Sequence, residues 1–217
     1  MRRDIFFDPE SHIYLVDGRE VPSVTEILKP LSNRGYAKIN QAVLDYAAAR
    51  GTAVHEACEA IDLGAEPEIV PEIQGYINAY LEWKNIYRPT WLGVEKIVCN
   101  EFGGYIGTLD RVGYFNGGDE LCIVDLKTSN PAKEALVSVC LQTAAYMLAF
   151  NADIDEPNVA SKRYGLFLKS DGTFRLQDCD EYEKKYQFDG FESFRKLLYT
   201  HNMVSELLKT GKGKNNE

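Results

Sequence analysis

The sequence predicts an α/β fold, a central mixed β-sheet flanked by helices, with a small N-terminal hairpin and C-terminal helical elaborations. Helix-period segments at 39–63 and 134–150 bracket β-rich apolar runs at 91–99, 104–115 and 120–127, and another run follows at 164–168. Two of these runs meet across Asn116-Gly117-Gly118, a composition typical of a tight hairpin turn. At 217 residues the chain is long enough for one domain with a full core. We expect a single domain over 1–209, its core about 39–169, with a disordered tail at 210–217 that holds no apolar residue.

Taken in order, residues 5–22 read as a hairpin around Asp17-Gly18, with His12 in a structural role. Ser23 and Glu26 form a capping box that opens a short helix, which Pro30 should end, and residues 31–37 should be a loop. In the helix at 39–63 the apolar side begins with Ala42, Val43, Tyr46 and Ala47 and continues through Val54, Ala57, Cys58 and Ile61. Gly51 interrupts it, at a cost of up to about 1 kcal/mol against Ala, and permits close approach of a backbone or ligand. A second helix spans 71–87 and stops at Pro89, before the strand at 91–99. After the hairpin at 104–127, Asn130-Pro131 reads as cap and first residue of the 134–150 helix. Residues 151–163 should be a loop, 164–169 and 173–179 a second hairpin, and 181–209 one helix. The expected buried stripe of that last helix runs from Phe188, Phe191 and Phe194 to Val204, Leu207 and Leu208.

The formal net charge of −9 argues against simple electrostatic adhesion to nucleic acid, although Arg34, Lys38, Arg50, Lys133, Lys162, Arg163 and Lys169 can supply a local basic groove. No run approaches the roughly 20 apolar residues of a membrane span, and MRRDIFFDPESH is not a secretory signal. Five scattered cysteines without a CxxC pair read as reduced core thiols, so the expectation is a cytoplasmic protein with no membrane partner.

The chemistry concentrates between Gly104 and Phe150. Each apolar run of the hairpin carries one acid where a core residue belongs, Asp110 in the first and Asp125 in the second. Lys127 stands two residues beyond Asp125 and therefore on the same strand face. Charges among Ile, Val and Leu are costly unless paired or bound to a metal. Two carboxylates beside a lysine suit a hard cation and phosphodiester hydrolysis; a buried Asp125–Lys127 ion pair that holds the strand end is the plainer reading. His55 can offer a ligand from the preceding helix, or be a surface histidine, and Glu59 shares its face one turn on. Glu95 is either a further site acid or an edge-strand charge facing water, and the second is preferred. Gln142 and Tyr146 share a face of the 134–150 helix, where they can hold a phosphate, a base or a water.

In order, these segments resemble the motifs of the PD-(D/E)XK nuclease superfamily, in the branch of RecB-type domains, phage recombination exonucleases and the mitochondrial genome maintenance exonuclease. RGTAVHEACE is similar to that branch's histidine motif, GTLDRV to its first acidic motif, IVDLKTS to its D-x-K motif and QTAAY to its Q-x-x-x-Y motif. HIYLVDGREVPSVTEIL looks like the N-terminal part of phage members. The resemblance implies a PD-(D/E)XK core that binds one or two Mg²⁺ or Mn²⁺ ions through His55, Asp110, Asp125 and the Leu126 carbonyl. It makes Asp110, Asp125 and Lys127 catalytic, and Gln142 and Tyr146 contacts to DNA. It implies a DNA exonuclease of phage-type recombination, replication or repair, partnered by DNA and by a single-strand annealing or replication protein. For a phage-encoded chain the setting is the host cytoplasm. Only Cys179 follows Cys140, so the iron–sulfur cluster of some relatives is not expected. The rival readings are a catalytically silent DNA-binding or recombination accessory protein, and a hydrolase of small phosphate esters.

Overall fold

Among the described residues, 4–8, 11, 13–36, 39–153 and 155–212 of the computed structural model, eight strands form two sheets with six helices around them. The N-terminal sheet is antiparallel, with strands β1 (Ile5–Asp8), β2 (Ile13–Val16) and β3 (Arg19–Val21), one strand more than the expected hairpin. Asp17 and Gly18 both take positive φ, 50° and 74°, the backbone of a type I′ turn between β2 and β3. His12 and Lys38 lie outside the described residues, as does the side chain of Arg34.

Helix α1 (Val24–Tyr36) begins where Ser23 Oγ accepts the Glu26 N–H at 3.0 Å. It does not end before Pro30, and residues 31–36 of the expected loop are helical. The lost N–H of Pro30 is outweighed by burial of Val24, Ile27 and Leu28 in the main core. Helix α2 (Gln41–Asp62) starts at Asn40, whose side chain accepts the Ala42 N–H. Its buried face begins only at Val54; Val43 and Tyr46, expected inside, are exposed because no element among the described residues covers this half of the helix. Helix α3 (Gln74–Tyr87) starts three residues later than expected and stops at Arg88, in the left-handed region at φ 43°.

The main sheet runs β4 (Thr90–Asn100), β5 (Tyr105–Tyr114), β6 (Leu121–Lys127), β7 (Ala160–Leu168) and β8 (Phe174–Asp178), adjacent in that order. Asn116 and Gly117 make a second type I′ turn at φ 52° and 68°, closed by Gly118 N–H donating to Phe115 O at 2.8 Å. β6 and β7 are the one parallel pair, joined by helix α4 (Lys133–Ala152). The expected second hairpin is thus the last pair of this sheet, and β7 starts inside the span expected as a loop.

Two core layers cover the sheet. α4 packs with α1 and helix α6 (Gly190–Lys212) on one face, and α2 with α3 on the other. α4 is capped by Ala132, not Asn130, and is long and apolar enough to cross a membrane, contrary to the sequence expectation. Twelve of its residues are buried inside the protein, which accounts for its hydropathy. The expected last helix is two, helix α5 (Cys179–Tyr186) and α6, broken where Gln187 takes φ 56°. Phe194 is buried, but Val204, Leu207 and Leu208 are exposed, because the far end of α6 extends past the core. α6 continues to Lys212 through the expected start of the tail, and 213–217 lie outside the described residues. All five cysteines are free thiols.

Candidate metal centre

Strand register puts three acids on one rung of the sheet. Val94 pairs with Arg111 and Lys96 with Leu109, so Glu95 stands opposite Asp110. Arg111 pairs with Val124, so one step further Asp110 stands opposite Asp125. The β5–β6 ladder ends at that point, and Asp110 Oδ2 accepts the Leu126 N–H at 2.6 Å in its place. Side chains opposite one another across a strand pair come within about 5 Å at Cβ, so three carboxylates crowd one end of the hairpin.

His55 reaches this rung from α2. Its Nδ1 lies 3.8 Å from Asp110 Oδ2 and its Nε2 3.1 Å from the Leu126 carbonyl. Ligand atoms of His55, Glu95 and Asp110 all lie within 4.8 Å of one another. Glu95 therefore belongs to the cluster and is not a purely solvent-facing charge: it sits on an edge strand, as expected, and stays partly open to water, but an ion pair to Arg111 at 2.9 Å holds it inward. Asp125 turns to Lys127, Nζ to Oδ2 2.7 Å, confirming that the two side chains project together. Lys127 meets only Oδ2, and Asp125 Oδ1 is buried without a partner. Burial, reinforced by the Asp110 charge and opposed by Arg111, raises the Glu95 carboxyl to about 7. Burial also raises Asp125 to about 7, with Lys127 opposing and Asp110 adding to the rise. Burial lowers the His55 pKa despite the nearby Asp110, which favours the neutral, ligating imidazole.

Lys127 is held in turn. Its Nζ donates to Gln142 Oε1 at 3.1 Å, and Gln142 Nε2 donates to Tyr146 Oη at 3.1 Å. Gln142 and Tyr146 are buried on α4, lining a cavity of about 280 Å³ shared with His55, Glu95, Asp110 and Lys127. Gly107 makes room for the tyrosine: a Cβ there would lie 2.9 Å from the Tyr146 ring. Gly51 has no such role, since a Cβ would meet only Thr128 Oγ1 at an ordinary 3.6 Å. Glu59 is half-buried near Glu95 but outside the His55–Glu95–Asp110 cluster.

Sequence reasoning missed two supports. Arg111, fully buried, joins Glu95 to Asp62 (Nε to Oδ2 2.5 Å), and Asp62 also takes Lys84 at 2.6 Å and the Tyr80 hydroxyl. An arginine inside an otherwise apolar strand was the available signal. The N-terminal sheet forms a wall of the cavity through Phe7 and Tyr14, with Tyr14 Oη 2.9 Å from Thr108 Oγ1.

Oxygen ligands with one imidazole suit Mg²⁺ or Mn²⁺, and His55, Glu95 and Asp110 could hold such an ion. An acid-rich cluster at the end of a mixed sheet, beside a lysine two residues from an aspartate, has the make-up of a D-x-K metal site. The chain belongs to the PD-(D/E)XK nuclease superfamily, whose sequence profile matches residues 37–212. Members of that superfamily are typically metal-dependent nucleases. A comparison with curated proteins gave no match.

Proposed function

We propose that this protein is a divalent-metal-dependent DNA nuclease, most simply an exonuclease of recombination, replication or repair. The observation that carries the reading is the rung of Glu95, Asp110 and Asp125 under His55, with the Asp125 carboxylate buried beside Lys127. In this reading His55, Asp110 and Glu95 hold Mg²⁺ or Mn²⁺, with Asp125 and the Leu126 carbonyl completing the set. A bound ion supplies Lewis-acid activation of water and neutralises charge on the scissile phosphate. Lys127 orients the water and stabilises charge growing in the transition state. Gln142 holds the ammonium in place and is itself braced by Tyr146, which lines the cavity. The Asp125 carboxylate, 2.7 Å from Nζ, keeps the ammonium beside the metal position.

End-labelled DNA with Mg²⁺ or Mn²⁺ is the test. Purified protein should degrade it, chelator should stop the reaction, and the order in which labelled ends disappear reports polarity. The Asp125–Lys127 pair also fits a silent accessory protein, and binding of DNA without metal-dependent cleavage would favour that second reading.

A further inference from the structure

A second feature lies on the α4 face of the sheet, two strands along from Lys127. A groove of about 470 Å³ opens between the first turn of α4, strand β8 and helix α5. Its lining includes the cations Lys133, Arg175 and Lys185 against the one acid Glu181, in a chain whose net charge is −9. All three cations are exposed. Arg175 Nη2 donates to Gln177 Oε1 at 2.6 Å and Lys185 Nζ lies 5.5 Å from the Tyr186 ring centre; neither contact cancels a charge. Tyr182 and Tyr186 lie with ring centres 4.5 Å apart, and Tyr186 is 48 % exposed, an aromatic surface beside the cations.

Register ties this groove to the catalytic lysine. Lys127 pairs with Phe167 and Phe167 with Arg175, so the arginine stands level with Lys127 two strands away, roughly 10 Å at the usual strand spacing. Lys127 reaches Gln142 on α4, and Arg175 shares its groove with Lys133 and Leu136 of the same helix, so both lie on one face of the sheet.

We propose that Lys133, Arg175 and Lys185 bind the phosphodiester backbone of the substrate strand beside the scissile position, with Tyr186 as a stacking surface for a base. The identity of the polyanion rests on the nuclease reading. Phosphate contacts of this kind position a strand independently of its sequence and make binding salt-dependent.

The test combines Lys133→Ala, Arg175→Ala and Lys185→Ala in one variant, all at exposed positions. Fluorescence anisotropy with a labelled 30-nucleotide single strand, in Ca²⁺ to suppress cutting, should show affinity down on the order of 10-fold at 0.1 M salt. The slope of log affinity against log salt should fall by about 2, three phosphates at about 0.7 each. In Mn²⁺ the variant should cleave with raised KM and unchanged kcat. A control lacking Lys29, Lys196 and Lys209 carries the same charge change elsewhere and should keep the parental slope. Unchanged affinity and slope in the groove variant, an equal loss in the control, or a parent that does not bind the strand would each overturn the proposal. A parent that binds with a groove-dependent slope yet never cuts would support the groove and sink the nuclease reading instead.

Discussion

Among the described residues two arginines are buried, and they do different work. Arg163 on β7 donates to Glu183 Oε1 at 3.0 Å, to Asp180 and to the Cys140 carbonyl, and stacks 4.3 Å from the Phe191 ring centre. Its acids belong to α5, so the guanidinium clamps the C-terminal helices to the sheet. Arg111 on β5 is buried as deeply, but one of its acids is Glu95, whose carboxylate also belongs to the metal cluster, and its Nη2 has no partner. Burial and ion pairing are alike in the two regions. What separates them is that Asp180 at Arg163 opens to solvent, whereas Glu95 at Arg111 stands in a rung with Asp110 and Asp125, where a cation would relieve the crowding. The site is marked by the crowding of its acids, not by the depth of its charges.

The comparison breaks most sharply on the rung itself. Lys127→Ala should fold, judged by circular dichroism, and lose cleavage on the order of a thousandfold, about 4 kcal/mol of transition-state stabilisation. Parental cutting by that variant would remove the lysine from the mechanism. Arg163→Ala should do the reverse: leaving Glu183 unpaired in the clamp should cost about 3 kcal/mol in urea unfolding, with metal affinity unchanged. An equal loss of metal affinity would show that the two regions are one coupled network.

Gly107→Ala should be milder, since the added methyl meets side chains only, the Tyr146 ring at 2.9 Å and Val24 Cγ2 at 3.2 Å. About 1–2 kcal/mol of stability should be lost, and cleavage should fall on the order of 10-fold as the Gln142–Lys127 chain moves. Smallest is Asp125→Asn, and its sign is the informative part. The folded Asp125 carboxyl is raised to about 7 against an ordinary 3.8, so it destabilises the metal-free fold as pH rises through that window. The variant should therefore be more stable than the parent at pH 8 without metal, and the difference should close as pH falls toward 4. It should also lose the rise in melting temperature that Mg²⁺ or Mn²⁺ gives the parent. A variant less stable than the parent at pH 8 would mean that the Lys127 ion pair outweighs the burial of the carboxylate.

Much of the fold was legible in local signals. Both Gly-containing turns, Asp17-Gly18 and Asn116-Gly117, adopt the positive φ that their residues favour. The apolar run 120–127 became β6 with Asp125 and Lys127 on one side. Errors fell where neighbours overrode local preference. Pro30 is carried through α1 by packing against α4, and the helix expected over 181–209 breaks where Gln187 turns α5 back. The exposed Val43 and Tyr46 follow the helical period as faithfully as Val54 does, because periodicity tells which residues share a face but not whether anything covers it.

By itself the sequence determined the alternation of elements, the tight turns and the placing of an aspartate and a lysine two residues apart on one strand, all of which depend on backbone geometry over a few residues. The tertiary structure alone decided that Glu95 faces Asp110, that Arg111 reaches back to Asp62, and that the N-terminal sheet walls the cavity. Those facts depend on strand register and on contacts between residues far apart in the chain. A slip of one residue in the β4–β5 pairing would turn Glu95 out of the cluster without altering any local pattern.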